Sequence, residues 1–302
     1  MPMIWMLRLF LMLPVSITTS DTFRFRWRSS IMVATFGTWT LLVVVAYYAV
    51  RYRIDPLIDT TKHFHLWDTV PKYASAVNFC YIFFMPFTCW TTADRAVAFV
   101  EYWSIFEAEM RAALQARVSL ARVTRRAWCW CAAGVGLPLL LVILSLFTLP
   151  GEVLWLSPVL LHSFVFMTLG NAFWLLCCST FARVADYQAG RLRSDLRRLG
   201  MRGLRAHRSI WQGMARTLDM MSASWGRTQM LLLAISFVNL TSIAFLFTHF
   251  IVDNVWESPV SWLATLMLLS AISIIAICNS AHVATSGVRN PTILTQPIRV
   301  RG

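Results

Sequence analysis

Charge is scarce in this sequence. Of its 302 residues only 14% are charged, and acidic side chains number 14; soluble domains carry about 25% charged residues. At 58% hydrophobic and a mean hydropathy of +0.60, a water-soluble fold of this size has no means of hiding its apolar surface. The alternative solvent is lipid. Recognisable chemistry is scarce too. The sequence holds no His-Glu-x-x-His, no Walker loop and no Gly-x-Gly-x-x-Gly, so nothing in it points to an enzyme, a cofactor or a metal. His63 and His65 stand close together, but two ligands do not close a zinc site. Internal repeats, low-complexity tracts and flexible linkers are also missing, which predicts a single domain over 1–302.

What is present is a series of long apolar runs. A helix needs about 20 mostly apolar residues to cross the hydrocarbon core, and six segments meet that length: Ile31 to Val50, Tyr73 to Thr91 (with Pro86 inside it), Ala127 to Leu149, Val159 to Thr180, Met230 to Val252 and Val260 to Ser280. Their centres lack Lys, Arg, Asp and Glu. Backbone polar groups in lipid must be satisfied internally, and ten-residue alternating β-barrel strands would read differently. The expected fold is therefore all-α, a polytopic transmembrane helical bundle of six spans. Ahead of it, Met3 to Val15 is an apolar run broken by Arg8 and Pro14, with no small-x-small cleavage site after it. It reads as an uncleaved, membrane-apposed segment rather than a signal peptide.

Basic residues orient the spans, because cytosolic loops are enriched in Arg and Lys. Four Arg precede the first span (Arg8, Arg24, Arg26, Arg28), six lie from Arg95 to Arg126, ten from Arg183 to Arg227, and three in the tail. The opposite side has Arg51, Arg53, Lys62 and Lys72. Both termini are expected in the cytosol, so the net charge of +13 is mostly a topology signal. Arginines split among membrane-flanking loops argue against a nucleic-acid partner and for contact with anionic lipid headgroups. Residues 92–126 and 181–229, rich in Ala, Leu, Arg and Glu, read as long cytosolic helix extensions. Phe106, Met110 and Leu114 form a stripe suited to helix packing, and Gly200 and Gly203 mark a break between two helices.

All seven cysteines (Cys80, Cys89, Cys129, Cys131, Cys177, Cys178, Cys278) sit in or beside spans, which excludes a disulfide framework. The pairs Cys129/Cys131 and Cys177/Cys178, at cytosolic span ends, suit either acylation or, preferably, burial as small apolar groups. Asn239-Leu240-Thr241 matches a glycosylation sequon but falls inside the fifth span. Polar groups within a membrane are costly and often functional. In the outer halves of the spans and the outer loops stand Tyr48, Asn78, Trp155, His162, His249 and Trp262, with Tyr47, Tyr73 and Thr241 nearby; Asn171 and Trp174 lie deeper. Amides, imidazoles and flat rings of this kind suit a pocket for a sugar or another small polar ligand. They suit equally an aromatic belt and interhelical hydrogen bonding.

Short motifs add a resemblance. Leu9-Phe10-Leu11-Met12-Leu13-Pro14-Val15-Ser16, Phe25-Arg26-Trp27-Arg28-Ser29 ahead of span one, and the Ser236-Phe237-Val238-Asn239-Leu240 core of span five resemble the insect gustatory receptor family. The last two are similar to its sugar-receptor branch. Where that branch has Asp-Glu-Ser before a basic residue and Pro, this chain reads Ala284-Thr285-Ser286-Gly287-Val288-Arg289-Asn290-Pro291. The resemblance implies a ligand-gated cation channel of the plasma membrane, not a G-protein-coupled receptor. It implies a cytosolic N-terminus, tetramers of like or related subunits, and an outward pocket for a small-molecule tastant. The family's seventh span, with its Thr-Tyr…Gln-Phe signature, lines the pore and is not found before Gly302. The chain as written is therefore expected not to conduct alone, acting as a truncated form or as a non-conducting accessory subunit. A multi-span transporter is the remaining alternative.

Overall fold

The computed structural model of the chain describes residues 2–17, 23–58, 83–114, 121–148, 157–199, 201–252, 270–271, 274–275 and 277–285. Helix α1 (Pro2–Leu9) leads into strands β1 (Val15–Ile17) and β2 (Phe23–Phe25). After them come α2 (Ser30–Ile58), α3 (Ala93–Leu114), α4 (Ala121–Thr148), α5 (Ser157–Leu199) and α6 (Met201–Val252). Residues 83–91 and 277–285 are helical as well. Among the described residues, four helices are long and apolar enough to cross a membrane, over Ser30–Tyr48, Arg125–Ile143, Ser157–Leu192 and His207–Phe245. They contain or overlap the expected spans 31–50, 127–149, 159–180 and 230–252. The expected spans 73–91 and 260–280 lie largely outside the described residues, and their described parts are helical.

Local chemistry explains the helix boundaries. Ser29 caps α2: its hydroxyl accepts the Met32 N–H at 3.2 Å, while its carbonyl accepts the Val33 N–H at 3.1 Å. Along α2 the face at Met32, Thr35, Leu42 and Ala46 is buried, whereas Val33, Phe36, Leu41, Val44 and Tyr47 are exposed. A helix apolar on both faces belongs where its outward face meets lipid rather than water. Hydroxyls in such helices are satisfied at home. Thr35 donates to the Ile31 carbonyl, Thr40 to Phe36, Thr92 to Thr88 and Thr180 to Leu176, each reaching back one turn.

The N-terminal segment packs on the bundle with part of its apolar surface left open: Leu7, Met12 and Leu13 are buried and α1 packs on α4 and α5, while Trp5 and Leu9 are exposed. The helix ends in a Schellman turn, with the Met12 N–H on the Leu7 carbonyl at 2.8 Å and the Leu11 N–H on the Arg8 carbonyl at 2.9 Å. Leu11 takes the left-handed position, φ 55°, that glycine usually fills. The strands then pair antiparallel, Val15 with Phe25 and Ile17 with Phe23. This two-stranded pairing is a small addition to a fold that is otherwise helical. Three-residue strands are too short to announce themselves by alternation, and they are held here by Val15 in the core and by β2 against α3.

Helices α5 and α6, of 43 and 52 residues, are about 65 and 78 Å long at 1.5 Å per residue. A hydrocarbon core is about 30 Å thick, so each overruns it by several turns. Two apolar cores result. One gathers α1, α2, residues 83–96 and the first part of α5 around Phe166, Leu169, Trp225 and Leu232. The other, toward the arginine-rich ends of α5 and α6, joins α3 to them through Phe99, Phe106, Met110, Phe181, Ile210 and Met214. Phe106 and Met110 thus pack as their spacing predicts; the side chain of Leu114 lies outside the described residues. Trp103 meets Phe181 edge to face at 5.2 Å. Helix α5 ends at Leu199 and α6 begins at Met201, with residue 200 outside the described residues, whereas Gly203 lies within α6; a glycine inside a helix costs only about 1 kcal/mol.

Candidate functional site

Of the six outward residues expected to bind a ligand, only Tyr48 and His162 have described side chains. Tyr48 is exposed on α2, its ring 5.9 Å from that of Tyr47, as aromatic residues at a lipid–water boundary are. His162, on α5, is partly buried and lies beside the Phe10 backbone of the N-terminal turn. His249 lies on α6 with its side chain outside the described residues, and Asn78, Trp155 and Trp262 fall outside them altogether. No hydrogen bond or ring contact joins Tyr48 to His162.

What the structure does bring together is a band of buried polar groups between residues 83–91, α4, α5 and α6. Gln229 Nε2 donates to Asn171 Oδ1 at 3.0 Å, both residues buried. One residue away, the Thr228 hydroxyl donates to that of Thr88 at 3.2 Å and lies 3.7 Å from Cys89 Sγ. Thr168 reaches the Gly134 carbonyl at 2.6 Å, joining α5 to α4, and Ser236 approaches the Met167 sulfur at 3.9 Å. Glycines allow the approach. A Cβ on Gly134 would stand 2.7 Å from Leu169 Cδ2, and one on Gly170 2.8 Å from Leu232 Cδ1. Small residues at such crossings are what lets membrane helices come close enough to hydrogen-bond.

Two atoms of this band have no partner among the described residues: Gln229 Oε1, an acceptor, and Trp225 Nε1, a donor. They sit one turn apart on α6, a spacing that places side chains on the same face. Trp225 packs edge to face on Phe173 at 5.1 Å. An acceptor and a donor so placed suit a bound water or a small polar group. No cluster of three His, Cys, Asp or Glu able to hold a metal occurs among the described residues.

Asn171 was readable in advance as a polar residue deep in a span, but its partner was not. Gln229 and Thr228 stand just before the expected start of span five at Met230, where they read as part of a cytosolic extension. The missed signal is periodicity. Thr217, Ser224 and Thr228 fall on one face of α6, and all three are buried. The cysteines divide similarly: Cys89, Cys131 and Cys178 are buried and Cys177 partly so, while Cys129 and Cys278 are exposed. The paired positions thus present one thiol inward and one outward at Cys131/Cys129.

No protein-family model matches the chain, and no curated protein matches it.

Proposed function

We propose that this chain is a gustatory chemoreceptor subunit of the plasma membrane, resembling a ligand-gated cation channel that detects small tastants, sugars among them, from the outer face. The observation that carries the reading is the coupling of apolar spans to long helices beyond them on the arginine-rich side. Helices α3, α5 and α6 build a second apolar core there, around Phe106, Phe181 and Met214. A receptor that gates by subunit rearrangement needs a packed platform outside the bilayer, and a ligand moves such an equilibrium only through differential affinity for its states. The short motifs around Pro14, Trp27 and Asn239 supply the rest of the support. The reading includes six spans, both termini in the cytosol and assembly as a homo- or hetero-tetramer.

The test is expression in oocytes, alone and with related receptor subunits, with tags at each terminus. The proposal expects both tags to be protected from extracellular antibody. It also expects sugar-evoked cation current in a co-expressed combination, changed by substitutions in this chain. An extracellular N-terminus, or co-expressed currents indifferent to every substitution, would overturn it.

A further inference from the structure

A cavity of about 410 Å³ opens between α5, α6 and residues 277–285, beside the second apolar core and about one helical turn from the polar band. Its volume lies in the range of small-molecule sites. Two indoles, Trp174 of α5 and Trp211 of α6, form part of its wall, and Leu218, Met221 and Ala284 make much of the remainder apolar. One charged side chain lines it, Asp219.

That acid is unusual in its setting. Ten arginines lie between Arg183 and Arg227, yet Asp219 makes no ion pair or hydrogen bond among the described residues, and none of those arginines lines the cavity. Its negative charge is therefore available to whatever enters. The Trp174 Nε1 hydrogen is buried with no acceptor among the described residues. The Thr285 hydroxyl is already committed, donating to the Ala281 carbonyl at 2.8 Å.

We infer that this cavity binds a small organic cation with an apolar body, an aryl- or alkyl-ammonium. The Asp219 carboxylate provides the counter-charge. Asp219 is exposed and the two indoles half-buried, and an indole ring attracts a cation through its quadrupole even at an exposed site. The aliphatic wall takes the apolar body, and a ligand oxygen can accept the Trp174 N–H. An anion finds no described cationic side chain in the wall, and a sugar would leave most of its hydroxyls without partners. The site is separate from the outward tastant pocket proposed above and does not depend on it.

The experiment is equilibrium dialysis of radiolabelled benzyltrimethylammonium against the purified full-length chain in a maltoside detergent, which carries no ammonium group. Saturable one-to-one binding is expected, weakened at least tenfold by Asp219→Asn and by Trp211→Leu. Asp186→Asn, which removes an exposed acid outside the cavity, is expected to leave it unchanged. Neopentylbenzene, the uncharged isostere, is expected to compete at least tenfold less well. Elution of each variant at the wild-type position on size exclusion separates lost binding from lost folding. Absence of saturable binding, equal loss in Asp219→Asn and Asp186→Asn, or equal competition by neopentylbenzene would each overturn the inference.

Discussion

Alanine at Gly213 should act in opposite directions depending on one ring. A Cβ added there would stand 2.9 Å from Cδ2 and 3.2 Å from Cε2 of Phe106. Non-bonded carbons settle at about 3.5–4.0 Å, so the ring has to withdraw by roughly 0.5 Å or more. Phe106 is 2% exposed, at the α3–α6 contact in the second core, and has little room for that. Overpacking of this kind costs about 1–3 kcal/mol. Against it, glycine to alanine in a helix interior gains about 1 kcal/mol. The expected net effect in the wild-type chain is a loss of about 1 kcal/mol. At Gly190, where an added Cβ meets nothing within 4 Å, the same substitution should stabilise by about 1 kcal/mol. In a Phe106→Ala background the steric cost disappears, and Gly213→Ala should become stabilising. The assay is thermal unfolding of the purified chain in detergent, run as a double-mutant cycle with Gly190→Ala as the reference. A destabilising Gly213→Ala in both backgrounds would refute the reasoning, since the effect could not then come from the Phe106 contact.

Three further outcomes follow from the same structure. Gln229→Leu leaves the Asn171 amide oxygen without its donor and should cost about 1 kcal/mol, while the double substitution with Asn171→Leu should recover part of that loss; a double variant less stable than the sum of both singles would contradict the pairing. Leu11→Gly relieves a left-handed leucine in the α1 cap, worth about 1–2 kcal/mol, at a chain-entropy cost of about 0.5–1 kcal/mol; the unfolding midpoint should rise or hold, and a clear fall would show that the Leu11 side chain matters more than its backbone. A membrane-permeant maleimide should label Cys129 and Cys278 in the folded chain, and Cys89 and Cys131 only after denaturation, as read by mass spectrometry of the peptides; rapid labelling of Cys89 in the folded state would place the 83–91 helix elsewhere.

Much of the fold was legible because lipid is a demanding solvent. Length and apolarity alone pick out segments that must be helical, and four of them stand as helices suited to crossing a membrane. The stripe of Phe106 and Met110 was readable for a related reason: helical spacing announces a buried face whatever it packs against. The 181–229 stretch likewise read as helix from its Ala, Leu and Arg content. Gly203, expected to share in a helix break, instead stands inside α6.

Other features depended on partners far away in the chain, which periodicity cannot supply. Gln229 becomes meaningful only with Asn171 across the α5–α6 crossing, 58 positions away, and Thr228 only with Thr88, 140 positions away. The hairpin of Val15 and Phe25 is too short to carry a pattern. The approach of His162 to Phe10 is a matter of where α1 folds back. Sequence by itself determined the solvent, the helical class, the long extensions and the arginine asymmetry, because composition and spacing are local and lipid permits few solutions. Tertiary structure alone decided which polar atoms meet, which glycines admit a neighbour and that Asp219 lines one cavity with two indoles, because these depend on the distances between helices.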